Sequence, residues 1–222
     1  MGSLRQQQIS SREEAIIIGT ILGDGHLARM KTTARLEVVH SERQKDYVLW
    51  KYHELYQFVG AQPHHLTITD PRFKKQFHQW RFKTRGHSYF TALHGQFYTE
   101  HGRKIVPQYI SHVLTSPLSV AVWFMDDGGR RNDCYGMFLN TLSFSKQEHM
   151  LLQQCLQQNF SLETRLHWIQ DGYRLYIPST MAQRFATLVY PYLIPSMRYK
   201  LSYNPVTTSF SELNRKRDRV QS

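Results

Sequence analysis

The sequence predicts an α+β fold assembled from two copies of one unit, and three observations carry the prediction. First, the apolar stretch Ile17-Ile18-Gly19-Thr20-Ile21-Leu22-Gly23-Asp24-Gly25 returns as Val120-Ala121-Val122-Trp123-Phe124-Met125-Asp126-Asp127-Gly128. Asp24 and Asp127, each followed by glycine, are 103 residues apart. Second, the residue patterns in both halves read helix, hairpin, helix, hairpin, helix. Third, landmarks keep their distance from the aspartate of their own half. Ser41 and Ser145 lie 17 and 18 residues on, and Lys104 and Lys200 lie 80 and 73 residues on, each near a proline. A short solenoid repeat would have a period of roughly 20–50 residues, so this is a divergent duplication. The expected units are residues 11–114 and 115–210, with a basic tail over 211–222 expected to be disordered.

Taken in order, Ser11-Arg12-Glu13-Glu14 reads as a capping box, with Ser11 as N-cap and Glu14 reaching back, before a helix through Gly23. Gly19 and Gly23 stand at i and i+4 and therefore share one helical face. Glycine costs helix propensity, which is sensible where a second helix must come very close. Period-two patterning over residues 26–31 and 34–40 predicts a hairpin. Ser41-Glu42-Arg43-Gln44 reads as a second capping box, opening a helix to Phe58 that Gly60 and Pro63 end. A second hairpin, residues 64–70 and 76–84, interleaves basic and aromatic residues, and a helix over 88–98 follows. A loop through Gly102 and Pro107 leads to a short helical stretch ending at His112.

The second half starts at Ser116-Pro117, an N-cap followed by proline at the first helical position. Its strands are expected from Met137 to Phe144, then over 164–170 and 173–177, with Asp171-Gly172 as a hairpin turn. Ser145-Lys146-Gln147-Glu148 is a capping box for a helix to about Phe160. A helix over 179–190 and the loop 195–200 complete the half.

The chain has 222 residues, 41% of them hydrophobic and 13% aromatic, enough for a substantial core. Lys and Arg number 28 against 17 Asp and Glu, a net charge of +11. That balance favours a polyanionic partner, nucleic acid before membrane or acidic protein. No apolar run approaches the ~20 residues of a membrane span. Cys134 and Cys155 form neither a metal-type spacing nor a disulfide framework, and a reducing compartment fits them. The opening residues lack the apolar core of a signal peptide.

On its paired motifs, together with Trp123-Phe124-Met125-Asp126-Asp127-Gly128-Gly129, Tyr192-Leu193-Ile194-Pro195 and Tyr199-Lys200-Leu201, the chain resembles the LAGLIDADG homing endonucleases, in particular the single-chain, intron-encoded branch. The resemblance covers roughly residues 12 to 203. It implies two αββαββα halves related by a pseudo-twofold axis, with the motif helices packed together and two four-stranded antiparallel sheets forming a saddle over the DNA major groove. It also implies magnesium-dependent cleavage of both strands that leaves 3′ overhangs. Two departures stand out. Val122 and Asp126 occupy positions where the family often has small residues. Asp126 also raises the question of which carboxylate is catalytic. Register favours Asp127, which precedes Gly128 as Asp24 precedes Gly25; Asp126 is turned by about 100° on the helix.

Phosphodiester hydrolysis needs an activated water, a stabilised pentavalent phosphate and a protected leaving oxygen. Mg²⁺, with Mn²⁺ as a substitute, suits carboxylate and phosphate oxygens. The catalytic and metal-binding candidates are Asp24 and Asp127. Lys104 and Lys200 resemble the family's active-site lysines, which position water or stabilise charge; ordinary solvated lysines are the plainer reading. His40 could touch the water network but more often such a residue simply packs. The interface candidates are Gly19, Gly23 and Val122. Arg reads guanine, Asn and Gln read adenine, and Lys contacts phosphate. On that basis the candidate DNA contacts are His26, Arg29, Arg35, Glu37, Arg72, Lys74, Lys75, Arg81, Lys83, Arg130, Arg131, Asn132, Arg165, His167 and Arg174. A one-residue error in strand parity would exchange the two faces. The Arg215-Lys216-Arg217 tail would add nonspecific phosphate contact at most.

The expected partner of this monomer is double-stranded DNA with a long asymmetric site, and no membrane. The alternatives are a maturase that binds group I intron RNA on the same scaffold and a non-catalytic DNA-binding regulator. The expected setting is bacterial cytoplasm or an organelle that encodes the protein.

Overall fold

In the computed structural model, the described residues are 8–73, 75–169 and 172–207. Lys74, Asp171 and the tail over 211–222, including Arg215-Lys216-Arg217, lie outside them. The first half runs α1 (Ser11–Leu22), β1 (His26–Arg29), β2 (Ala34–Ser41), α2 (Lys45–Glu54), β3 (His64–Asp70), β4 (Lys75–Lys83) and α3 (Ser88–Phe97). After the short α4 (Ile110–Val113), the second half runs α5 (Pro117–Asp127), β5 (Gly128–Arg130), β6 (Met137–Leu139), α6 (Lys146–Phe160), β7 (Arg165–Ile169), β8 (Gly172–Ile177) and α7 (Ala182–Val189). Each half carries a four-stranded antiparallel sheet. The orders are β1-β2-β4-β3 and β5-β6-β8-β7, the same topology twice.

The motif helices α1 and α5 form the spine between the halves. Residues Ala15 to Leu22 of α1 and Leu118 to Asp126 of α5 are all buried, as expected of helices that are apolar on every side. Close approach explains the glycines of α1. A Cβ added at Gly19 would stand 2.4 Å from the Ser119 carbonyl oxygen, and one at Gly23 would stand 2.4 Å from Asp126 Cβ. The bulk of Val122 and Asp126 is therefore no obstacle to tight packing. The glycine notches of one helix receive the larger side chains of the other.

Several local expectations are corrected. The capping box of α1 is Ser10 with Glu13, one residue earlier than Ser11 with Glu14. Ser10 Oγ accepts from the Glu13 N–H at 3.2 Å, and Glu13 Oε2 accepts from the Ser10 N–H at 2.9 Å. Ser41 does not cap α2. Its backbone is committed to β2, opposite Gln79, and a 3₁₀ turn over Glu42–Gln44 intervenes before the helix begins at Lys45. That helix ends at Glu54, short of Phe58. β6 stops at Leu139 rather than running to Phe144, because the Thr141 hydroxyl accepts the Leu175 N–H at 3.2 Å in place of a ladder partner. The expected 179–190 helix is α only over Ala182–Val189, flanked by 3₁₀ turns. Ser145 with Glu148 caps α6, and Ser116 caps α5, as the sequence indicates.

Candidate active centre and nucleic-acid face

α5 ends on Asp127 and α1 ends two residues before Asp24, and a lysine from a distant loop clamps each end. Lys104 Nζ donates to the carbonyls of Gly23 at 2.8 Å and Gly25 at 2.9 Å. Lys200 Nζ donates to those of Met125 at 2.5 Å and Asp126 at 2.6 Å. These carbonyls lie at or just past a helix C-terminus, where cations are favoured. The four residues the sequence singles out for catalysis thus share one place in the fold. Burial lowers the pKa of both lysines, and Asp24, Asp126 and Asp127 all oppose that shift.

The three carboxylates have different surroundings. The Asp24 side chain is 46% exposed, whereas that of Asp126 is fully buried. Asp126 receives Lys51 Nζ at 2.7 and 3.0 Å and the Asp24 backbone N–H at 3.2 Å. Lys51 itself is completely buried on α2, stands 3.4 Å from His40 Nε2 and lies 4.5 Å from the Tyr47 ring centroid. Asp127 is half-buried, and its carboxyl is pushed up to about 8 by burial first, then by Asp24 and Asp126. Two like charges beside a desolvated carboxylate disfavour its ionisation.

Sequence reasoning missed one residue of this network, Lys51, and set a second, His40, aside as packing. His40 is buried, with Nδ1 3.5 Å from Asp24 Oδ2 and Nε2 3.5 Å from Asp126 Oδ1. Burial and Lys51 hold it down to about 3, so it is a neutral imidazole at neutral pH. Lys51 was invisible because a single lysine on an amphipathic helix reads as solvated. Its only signal was its place on the helical face shared with Tyr47. Asp24, His40 and Asp126 offer ligand atoms within 4.8 Å of one another, a set that could hold a metal. Asp126, however, is already paired with Lys51, which leaves Asp24 as the open carboxylate of that group.

The registers settle strand parity. In β2, Ala34, Leu36, Val38 and His40 are buried, so Arg35, Glu37, Val39 and Ser41 line the open face. Pairing puts His26, Lys83, Arg81 and Lys75 on that same face. Arg35 and Lys83 both bind Glu37, at 2.7 and 3.1 Å, and Arg81 donates to His64 at 3.0 Å. Arg72, at the hairpin tip, lies 3.6 Å from Asp70. In the second sheet, Phe138, Tyr176, Arg174, Arg165 and His167 share the open face. Arg174 stacks on Phe138 at 3.3 Å, and His167 stacks on Tyr176 at 4.4 Å. Arg131 reaches the same rings at 5.7 Å and pairs with Asp133, while Asn132 is exposed beside it.

Two candidate contacts do not share the open faces. Arg29 lies opposite Ala34, and Arg130 opposite Met137, both with core-side parity. They are exposed only because they stand at strand ends.

Residues 14–185 match the model of the LAGLIDADG DNA endonuclease family. The chain is 30% identical over 216 residues to the DNA endonuclease I-ChuI of Chlamydomonas applanata, covering 90% of this chain and 96% of that protein. It is 27% identical over 202 residues to the cytochrome b mRNA maturase bI2 of Saccharomyces cerevisiae, covering 84% of this chain but 46% of that protein. A solved structure of the homing endonuclease I-WcaI bound to its DNA recognition sequence superposes with a TM-score of 0.82 at 26% identity. That match covers 92% of this chain and 96% of the other.

Proposed function

The chain belongs to the LAGLIDADG DNA endonuclease family and is a DNA endonuclease of the homing type; we propose that it cuts both strands of a long asymmetric site, leaving 3′ overhangs, with Asp24 and Asp127 as its two essential carboxylates. The observation that carries this reading is the pairing of two contacting helix ends, each delivering an aspartate and each clamped by a lysine. Because both motifs lie in one chain, the protein acts as a monomer built from halves 11–114 and 115–210.

The donor set suits a hard divalent cation. Asp24 is open, and the Asp127 pKa is raised by burial first and then by the carboxylates of Asp24 and Asp126, a strain that a bound cation would relieve. Asp24 and Asp127 would hold Mg²⁺, or Mn²⁺ in its place, which when bound would supply a Lewis acid and an activated water. Lys104 and Lys200 fix the helix ends that carry these carboxylates and place positive charge beside the scissile phosphate. Lys51 keeps Asp126 neutralised and turned inward, so that it is paired although it adjoins Asp24. His40, neutral and within 3.5 Å of Asp24, orients the Asp24 carboxylate.

DNA lies along the open faces of both sheets. His26, Arg35, Glu37, Lys75, Arg81 and Lys83 serve one half-site; Arg131, Asn132, Arg165, His167 and Arg174 serve the other. Arg72 contacts phosphate from the hairpin tip.

Asp24→Asn and Asp127→Asn test the proposal. Each is expected to abolish double-strand cleavage in Mg²⁺ while leaving site binding by gel shift largely intact. Full cutting by either variant would sink it. The relative named as a maturase supports a second reading, binding of intron RNA on the same scaffold, and favours an organellar genome as the setting. Self-splicing of the cognate intron with and without protein tests that reading; no stimulation would count against it.

A further inference from the structure

The β3–β4 hairpin has a second face, turned away from Arg81 and Lys83. There the register sets His65 opposite Trp80 and Thr67 opposite His78, so the two histidines are diagonal cross-strand neighbours. Their rings stack at 5.4 Å and 20°. Glu42, the first residue of the turn before α2, brings Oε1 to 3.8 Å from His65 Nε2. One ligand atom from each of the three residues lies within 4.8 Å of the other two.

As an ion pair this arrangement is weak. The Glu42 and His65 side chains are 58% and 37% exposed, and an exposed pair at that distance contributes little. As a ligand set it is well matched. Zinc–nitrogen bonds of about 2.0–2.1 Å put neighbouring tetrahedral ligands about 3.4 Å apart. Exposed side chains reach that separation from the present one by small rotations. His78 Nδ1 also stands 3.1 Å from the Thr67 hydroxyl. A proton on Nδ1, donated to that hydroxyl, leaves Nε2 with its lone pair free, the arrangement that fixes the tautomer of metal-binding histidines. The nearby cation is Lys45, which lies over the Trp80 ring at 4.4 Å.

We propose that Glu42, His65 and His78 form a surface site for a borderline-soft transition-metal ion such as Zn²⁺, separate from the carboxylate centre. Two imidazoles and one carboxylate select zinc, nickel or copper over magnesium, so the two sites take different ions. The bound ion ties β3 and β4 to the start of α2. It thereby stiffens the hairpin whose opposite face carries Lys75 and Arg81.

The test is calorimetric titration of chelator-stripped protein with ZnCl₂ in the absence of magnesium. Wild type is expected to bind one equivalent with a site-specific signature. His78→Ala should weaken that event at least ~tenfold, and Thr67→Val by about tenfold, as loss of a histidine's supporting partner does elsewhere. Asp24→Asn should leave it unchanged. Because His78 is exposed, His78→Ala should unfold at the wild-type temperature in chelator, while zinc raises the midpoint of wild type and Asp24→Asn but not that of His78→Ala. Equal affinity of wild type and His78→Ala, or loss of the zinc event in Asp24→Asn, would overturn the site.

Discussion

The two halves share topology and the lysine clamp, yet they differ where α1 meets α5. At the position before the motif aspartate, the first half has Gly23 and the second has Asp126. The glycine leaves a notch, and the carboxylate that fills it is neutralised by Lys51 from α2 of the glycine-bearing half. Tyr47, also on α2, donates to the Val122 carbonyl at 3.1 Å. Polar contacts therefore run from the first half into the second helix. The half that gave up bulk in its motif supplies the cation that its partner needs.

The same asymmetry extends beside the centre. His40 lies three residues beyond Glu37, which pairs with His26. Thr141 lies three residues beyond Phe138, which pairs with Gly129. The first half thus places an imidazole beside Asp24, whereas the second places a hydroxyl that bonds His149 at 2.8 Å and the Leu175 N–H. The open faces differ too. Sheet one presents ion clusters around Glu37, while sheet two presents Arg174 and His167 stacked on Phe138 and Tyr176. Under the proposed function, surfaces this different suit an asymmetric target better than a palindrome.

The comparison can be broken most severely at the buried ion pair. Lys51→Met or Asp126→Ala strands one charge without a partner and should cost about 3–5 kcal/mol in chemical denaturation. The double variant Lys51→Met/Asp126→Leu should recover much of the loss. If either single variant unfolds like wild type, the pair is not what joins the halves. The clamps come next. Lys104→Met and Lys200→Met should each lower single-turnover cleavage by roughly 10²-fold. A large disparity between them would show that the lysines have diverged in role as their neighbours have. Gly23→Ala should then cost about 1–3 kcal/mol, because its Cβ meets Asp126, and that increment should disappear when measured against an Asp126→Gly background.

A pH series sharpens the comparison further. The raised pKa of Asp127 means that the folded chain binds more protons than the unfolded one between about pH 4 and 8. Asp127 therefore favours folding at acid pH, and that contribution is lost as pH rises through about 8. In chelator, the melting temperature of wild type should fall over that window relative to Asp127→Asn, and Mg²⁺ should close the gap. His40 acts in the opposite sense: its depressed pKa favours folding above about 6.5 and is lost as pH falls towards 3. The smallest effect expected is at Ser145→Ala, where loss of the α6 cap should cost about 1 kcal/mol.

What was legible in the sequence followed short-range rules. Duplication, the order of elements and the Ser145 cap come from periodicity and local hydrogen bonding, which a linear chain displays. The start of α1 was misplaced by one residue because Ser10-Ser11 and Glu13-Glu14 offer two equivalent boxes. Ser41 failed as a cap because strand pairing with β4 claimed its backbone. Arg29 and Arg130 were assigned to the open faces because parity at a strand end is fixed only by its partner strand.

The sequence by itself determined a basic, two-motif α+β chain with an aspartate before the glycine that closes each motif and a lysine at a similar distance behind each. Those features depend on residue type and spacing alone. Only the tertiary structure decided that Asp126 turns inward to Lys51, that His40 sits beside Asp24 and that His65 of β3 meets Glu42 of the turn before α2. Each of these joins residues far apart in the chain or on different elements. Their partners are chosen by how helices and strands pack, which no local pattern records.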